Sequence, residues 1–232
     1  MPLLELTKIN KNFGGVQALN DVSLTINEGE IYGLIGPNGA GKTTLFKSLI
    51  GILECGSGSS IKINDRELAT EPSFMRVRSG LAYVPQGRMI FPNLSVTDNI
   101  RTGLDSSNEK NVPDYVYELF PVLKEMGKRK GGNLSGGQQQ QLAIARALVT
   151  KPKVLLLDEP TEGIQPSIIK EMAEKLKTIR DMHDVSIIVA EQVLSFALTA
   201  CDRFLVMEGG AIVHSSDRSE VDAEKIKKFL SV

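Results

Sequence analysis

Gly36-Pro37-Asn38-Gly39-Ala40-Gly41-Lys42-Thr43 is the stretch whose reading decides the fold of this chain. It fits GxxxxGK[ST], a pattern that carries weight only between a strand and a helix. Both flanks qualify. Residues 30–35 form a strand-like apolar run before it, and Leu45, Phe46, Leu49, Ile50 and Leu53 recur at helical spacing after it. The spacing predicts a helix over 42–53, with Gly51 marking fraying near its end. Glycines let the backbone turn so that successive N–H groups face one concavity, and the helix N-terminus adds its positive end. Lys42 would reach the β- and γ-phosphates of a nucleotide, Thr43 would offer its hydroxyl to Mg²⁺, and Thr44 stands beside it as a helper. By average residue usage the pattern arises by chance in on the order of one chain per hundred, so the flanking elements do much of the discrimination.

A second signal lies far downstream. Val154-Leu155-Leu156-Leu157-Asp158-Glu159 places two carboxylates at the end of an apolar run of the kind buried on both faces of a parallel sheet. Asp158 would hold Mg²⁺ and Glu159 would polarise the attacking water as general base. An apolar strand ending in Asp-Glu is common by itself; beside a phosphate loop it becomes a catalytic edge.

The other elements fit an α/β fold. Strand patterns cover residues 3–9, 22–26, 81–84 and 185–190. Between the runs at 154–157 and 185–190, Ile168, Ile169, Met172, Leu176 and Ile179 form one helical stripe that Pro166 can start. Residues 203–207 and 211–214 flank Gly209-Gly210 as a hairpin, and 225–230 closes as a short amphipathic helix. Residues 87–150 are more helical and more polar, with Ser95 and Asp98 spaced as a helix cap and Pro121 interrupting a helix. The expected organisation is a nucleotide-binding core of residues 1–86 and 151–232, with residues 87–150 as an inserted helical subdomain.

Composition excludes several classes. With 232 residues, 41% of them hydrophobic and 24% charged, the chain has ordinary globular usage. A formal net charge of −1 argues against an electrostatic nucleic-acid binder. The apolar runs are far below the roughly 18 residues that span a bilayer, so any membrane role is expected to be peripheral. Glu5 and Lys8 interrupt what would be the core of a signal peptide, so secretion is not expected. Cys55 and Cys201 lack metal-ligand spacing and read as reduced cytosolic thiols.

Leu134-Ser135-Gly136-Gly137-Gln138 opens a predicted helix over 139–149, and that helix precedes the Asp-Glu strand. Phosphate loop, LSGGQ and Asp-Glu strand, in that order over nearly the whole chain, resemble the ABC ATPase family. The resemblance implies a P-loop NTPase cassette: a core sheet with flanking helices, antiparallel β strands and an inserted helical subdomain. It implies ATP and Mg²⁺ as cofactors, and two cassettes meeting head to tail so that each ATP lies between one phosphate loop and the other cassette's LSGGQ. Ser135, the amides of Gly136 and Gly137, and Gln138 would then form a second anion site. Gln86 matches the family glutamine that contacts Mg²⁺ and the reactive water. Phe13 sits where the family stacks an aromatic on adenine, with core packing the competing reading. Arg88, Ile90, Phe91 and Pro92 lie where family members receive a helix of the membrane subunit; packing between the lobes is the alternative.

Two positions depart from the family. Its switch histidine is replaced by Gln192, which can donate a hydrogen bond to phosphate or water but cannot become a cation. Gln165 stands where the family commonly has Asp. Both departures, with Val84-Pro85-Gln86-Gly87-Arg88 and Thr161-Glu162-Gly163-Ile164-Gln165-Pro166, resemble cassettes that power uptake of branched-chain amino acids, urea or short amides. The resemblance implies a second ATPase subunit, integral membrane permease subunits, indirectly a solute-binding protein, no nucleic acid, and a peripheral place on the cytoplasmic face of the membrane. Two other classes compete: a non-transport ABC ATPase of the iron–sulfur assembly type, and a small-molecule P-loop kinase, in which Ser135 to Gly137 would have no role.

Overall fold

Five apolar runs set the frame. In the computed structural model, which describes residues 2–106 and 110–230, β3 (Ile31–Ile35), β6 (Leu81–Val84), β7 (Val154–Asp158), β8 (Ser186–Glu191) and β9 (Arg203–Glu208) pair in parallel in the order β9-β3-β8-β7-β6. β10 (Ala211–Asp217) adds antiparallel to β9 through the expected Gly209-Gly210 turn. β3, β7 and β8 are buried at every position, as a parallel sheet covered on both faces requires.

Alternate residues of these strands feed two cores. Tyr32, Leu34, Leu156 and Ile188 face a cluster built with α1 (Lys42–Leu49) and a second, antiparallel sheet. That sheet has the order β2-β1-β4-β5, from β1 (Pro2–Phe13), β2 (Val16–Asn27), β4 (Ser60–Ile63) and β5 (Arg66–Glu67). Ile31, Ile35, Leu155, Leu157, Ile187 and Val189 face the other cluster. There α7 (Pro166–His183) and α8 (Leu194–Ala200) cover the sheet with α6 (Gly136–Leu148). α3 (Val96–Arg101), α4 (Asp114–Leu119) and α5 (Pro121–Glu125) contribute Val96, Ile100, Val116 and Leu123 to the same cluster. α2 (Ser73–Arg78) precedes β6, and α9 (Ala223–Leu230) buries Ile226.

Several boundaries differ from the periodicity. α1 stops at Leu49 instead of reaching 53, because Gly51 turns left-handed at φ +80°. The buried Arg76 guanidinium then donates to the carbonyls of Ser48 and Leu49 at 2.8 and 3.0 Å, satisfying the helix end. β1 and β2 are twelve residues each, longer than their alternation suggests. Register shifts and left-handed Lys8 and Asp21 interrupt the alternation, and Asn10 bridges the irregularity by donating to Asp21 Oδ1. β4, β5, α2 and α8 were not expected; each is short, at 4, 2, 6 and 7 residues. α6 starts at Gly136, three residues before the periodic run, because Ser135 caps it. β8 runs one residue further than expected, to Glu191.

Candidate functional site

The sheet order brings the ends of β6, β7, β8 and β3 side by side, and each is followed by a candidate residue: Gln86, Glu159, Gln192 and the Gly36–Thr43 loop. Ligands bind beyond the carboxyl ends of such strands.

In the loop after β3, Gly39 and Gly41 are left-handed at φ +82° and +108°. Close approach also demands glycine: a Cβ on Gly36 would lie 2.3 Å from the Met207 carbonyl oxygen. Pro37, Asn38 and Ala40 complete the turn, closed by the Ala40 amide donating to Pro37 O at 3.2 Å. α1 has no side-chain cap, which leaves its first amides for an anion. Lys42 is buried and folds back over the loop, its Nζ donating to Gly36 O at 2.6 Å and Pro37 O at 3.1 Å. Glu159 Oε1 is 3.9 Å from that nitrogen. Burial pushes the Lys42 ammonium below its ordinary range, against the pull of Glu159, Asp158 and Glu191. Thr44 follows on the same turn.

Asp158 is buried and receives two hydroxyls: Thr43 Oγ1 to Oδ1 at 3.1 Å and Tyr83 Oη to Oδ2 at 3.0 Å. Burial raises its proton affinity, and those hydrogen bonds and Lys42 oppose the rise. Tyr83 was missed by sequence reasoning; its only local signal is its place in β6, two positions before Pro85. Burial also pushes its phenol upward, with the Asp158 charge adding to the effect. Glu159 adopts a left-handed backbone at φ +46°, uncommon for a residue with a side chain and typical of strained functional positions. Its carboxylate accepts from Gln86 Nε2 at 3.3 Å. Burial, then Glu191 and Asp158, push Glu159 upward, while Lys42 opposes them. A carboxylate with raised proton affinity is suited to general base work.

Ser135, Gly136, Gly137 and Gln138 head α6. Ser135 Oγ accepts from Gln138 N at 3.3 Å and Ser135 N donates to Gln138 Oε1 at 3.0 Å, a full capping box. Gln138 therefore holds the helix end that presents the glycine amides; the Ser-x-x-Gln spacing was the signal for this. A Cβ on Gly136 would lie 2.9 Å from Gly163 O, and one on Gly137 2.9 Å from Ile168 Cγ2, so both glycines permit packing against the loop after Glu159 and α7. Phe13, at the end of β1, is 48% exposed, which removes the core-packing reading; Lys11 Nζ lies 5.4 Å from its ring centroid. Gln192 is exposed just past β8, and Gln165 is exposed at the start of α7 without capping it.

The ABC transporter family model matches residues 19–162 of this arrangement. This chain belongs to the ABC transporter family. Among its relatives, the high-affinity branched-chain amino acid transport ATP-binding protein BraG of Pseudomonas aeruginosa is 43% identical over 214 residues, 91% of each chain. The lipopolysaccharide export system ATP-binding protein LptB of Escherichia coli is 34% identical over 98% of this chain and 96% of its own. A nucleotide-free ATP-binding cassette from an ABC transporter superposes with a TM-score of 0.84 at 26% identity, covering 100% of this chain and 96% of that one. The ADP conformation of the cassette MJ1267 gives 0.82 at 27% identity, covering 100% and 95%. As an ABC transporter cassette the chain binds and hydrolyses ATP. Among the described residues no helix is long and apolar enough to cross a membrane.

Proposed function

We propose that this chain is the ATP-hydrolysing subunit of an uptake system for branched-chain amino acids or a related small polar solute, such as urea or a short amide. The observation that carries the proposal is the convergence of Gln86, Glu159, Gln192 and the phosphate loop at one sheet edge, in a chain 43% identical to BraG. The branch-like segments 84–92 and 161–166 support uptake. The transport names of BraG and LptB favour transport over iron–sulfur assembly.

In this reading Lys42 and the loop amides hold the β- and γ-phosphates, with Phe13 stacked on adenine. Glu159 takes a proton from the attacking water, and Gln86 and Gln192 orient that water by hydrogen bonds. Mg²⁺ suits the oxygen donors of Thr43, Gln86 and Asp158; it would neutralise phosphate charge there. The two hydroxyls gathered on Asp158 support this reading of the carboxylate. No group of three or more acidic, His or Cys side chains forms a metal cage among the described residues.

Ser135 to Gly137 face away from this chain's own phosphate loop in the reading, and complete the site of a second cassette; Gln138 keeps that helix end in shape. Residues 87–150 form the lobe that carries them. A groove of about 400 Å³ between Tyr83, Phe91, Thr102 and Arg146 supports docking of a permease helix. Its rim includes Met89 and Phe91, 66% and 47% exposed, with Arg146 5.5 Å over the Phe91 ring. The subunit would then sit on the cytoplasmic face, linked through the permease to a solute-binding protein.

The deciding experiment isolates the chain with its permease subunits in detergent and measures ATPase activity with each solute class and its binding protein. Stimulation by branched-chain amino acids, urea or short amides is expected. Co-isolation with soluble assembly factors alone would overturn the transport reading.

A further inference from the structure

Glu191 ends β8 and is 1% exposed, yet its carboxylate belongs to none of the motifs above. Oε1 accepts from Thr161 N at 3.1 Å and from Thr161 Oγ1 at 2.6 Å. Oε2 accepts from Gln192 N at 3.1 Å and Val193 N at 3.2 Å. Thr161 lies two residues past Glu159, so one side chain ties the loop after β7 to the loop after β8. The tie is reinforced by Glu159 N donating to Ala190 O at 2.9 Å. It extends to the loop after β6, because Arg88 Nη2 donates to Glu162 O at 2.7 Å.

The chemistry of the four partners selects the residue type. All four are donors, and a carboxylate accepts at both ends without presenting a donor of its own. A glutamine of equal size accepts at one end and points an NH₂ at two N–H donors at the other. A buried carboxylate is also costly unless fully hydrogen-bonded, and an apolar side chain would fill the space without that demand.

We propose that Glu191 is a positioning residue for hydrolysis: it holds the Thr161 and Gln192 loops in one register, so that Glu159 and Gln192 address the same water. This rests on the reading that Glu159 is the base and Gln192 a water or phosphate contact. The effect of Glu191 runs through the two loops that its carboxylate holds.

The test uses the full chain and reads kcat, KM for MgATP, equilibrium MgATP affinity and the thermal midpoint. Glu191→Gln is expected to lower kcat by on the order of 10- to 100-fold, the scale of a small misplacement of catalytic groups. KM and MgATP affinity should stay within about twofold, since uniform binding is untouched. A wild-type kcat in Glu191→Gln overturns the proposal, as does a loss that disappears once rates are referred to the folded, MgATP-binding fraction. Should Glu191→Gln not fold, Thr161→Val and Thr161→Ser decide: Val loses the 2.6 Å hydroxyl bond and lowers kcat, Ser retains it and restores the rate. Equal rates for these two variants would sink the clamp. Glu159→Gln separates the two levels of argument. Full turnover in that variant removes the underlying base assignment, whereas an inactive Glu159→Gln beside a normal Glu191→Gln removes the clamp alone.

Discussion

The phenol of Tyr83 donates to Asp158 Oδ2 across 3.0 Å, joining the middle of β6 to the end of β7 beneath the phosphate loop. With Thr43 on the other oxygen, the hydrogen bond orients the carboxylate proposed to meet Mg²⁺. Tyr83→Phe should therefore raise the Mg²⁺ concentration for half-maximal ATPase by on the order of 10-fold, the usual effect of removing a partner behind a metal ligand. Saturating Mg²⁺ should restore most of the rate. A Mg²⁺ titration of the two proteins checks this.

Glu159→Gln keeps the side-chain shape and, through its carbonyl oxygen, an acceptor for Gln86, but loses the proton acceptor. MgATP binding should persist while turnover falls by about 10²- to 10⁴-fold, the range for a general base, with a trapped dimer accumulating. Single-turnover hydrolysis and size-exclusion chromatography in MgATP measure both effects. Near-wild-type turnover would show that the base lies elsewhere.

Lys42→Ala removes the cation folded over Gly36 and Pro37. Nucleotide affinity should fall by about tenfold or more, as expected when a charge-assisted contact to phosphate is lost. Isothermal titration with ATP is the measurement, and unchanged affinity would remove Lys42 from the cradle.

His183 and His214 are the only histidines. His183 packs on the Tyr115 ring at 4.4 Å and His214 stacks on Phe229 at 6.4 Å. Alanine at either position should leave kcat within about twofold of wild type, because the proposed function gives the switch position to Gln192. A large loss of kcat in a folded single variant would reveal a histidine switch.

Glu67 supplies a pH test away from the site. Burial would raise its carboxyl, but the Ser60 hydroxyl and the amides of Ile61, Ala69 and Leu68 together outweigh burial and hold it below its ordinary value. A depressed folded value means the charge stabilises the fold above the unfolded pKa of about 4.3, and that this stability is lost as pH falls through the folded value. Glu67→Gln should thus melt below wild type at pH 7, with the gap closing as pH falls through the depressed folded value. A gap independent of pH would assign the effect to packing.

The glycine-rich turn was legible because its geometry depends on neighbours in sequence. Glycines at 36, 39 and 41, then Lys42 and Thr43, must be consecutive for one turn and one helix start to build a phosphate site. Asp158 and Glu159 were readable for the same reason, as the end of a continuous buried run. The length of α1 was not, since its end depends on Arg76, which reaches Ser48 and Leu49 from α2. Phe13 posed a choice between packing and exposure that no local pattern resolves, and the hairpin leaves it exposed.

Sequence by itself therefore determined the glycine-rich turn and its helix start, the strand-end carboxylates, the family and the glutamine at 192, all set by short-range spacing and backbone geometry. Tertiary structure alone decided that Tyr83 and Thr43 share Asp158, that Gln86 reaches Glu159, and that Glu191 joins the Thr161 and Gln192 loops. Apart from the bond of Glu191 to the next residue, those partners lie 30 or more residues apart along the chain. They meet because parallel pairing sets β6, β7, β8 and β3 side by side, and the buried Asp158 and Glu191 carboxylates must find partners there.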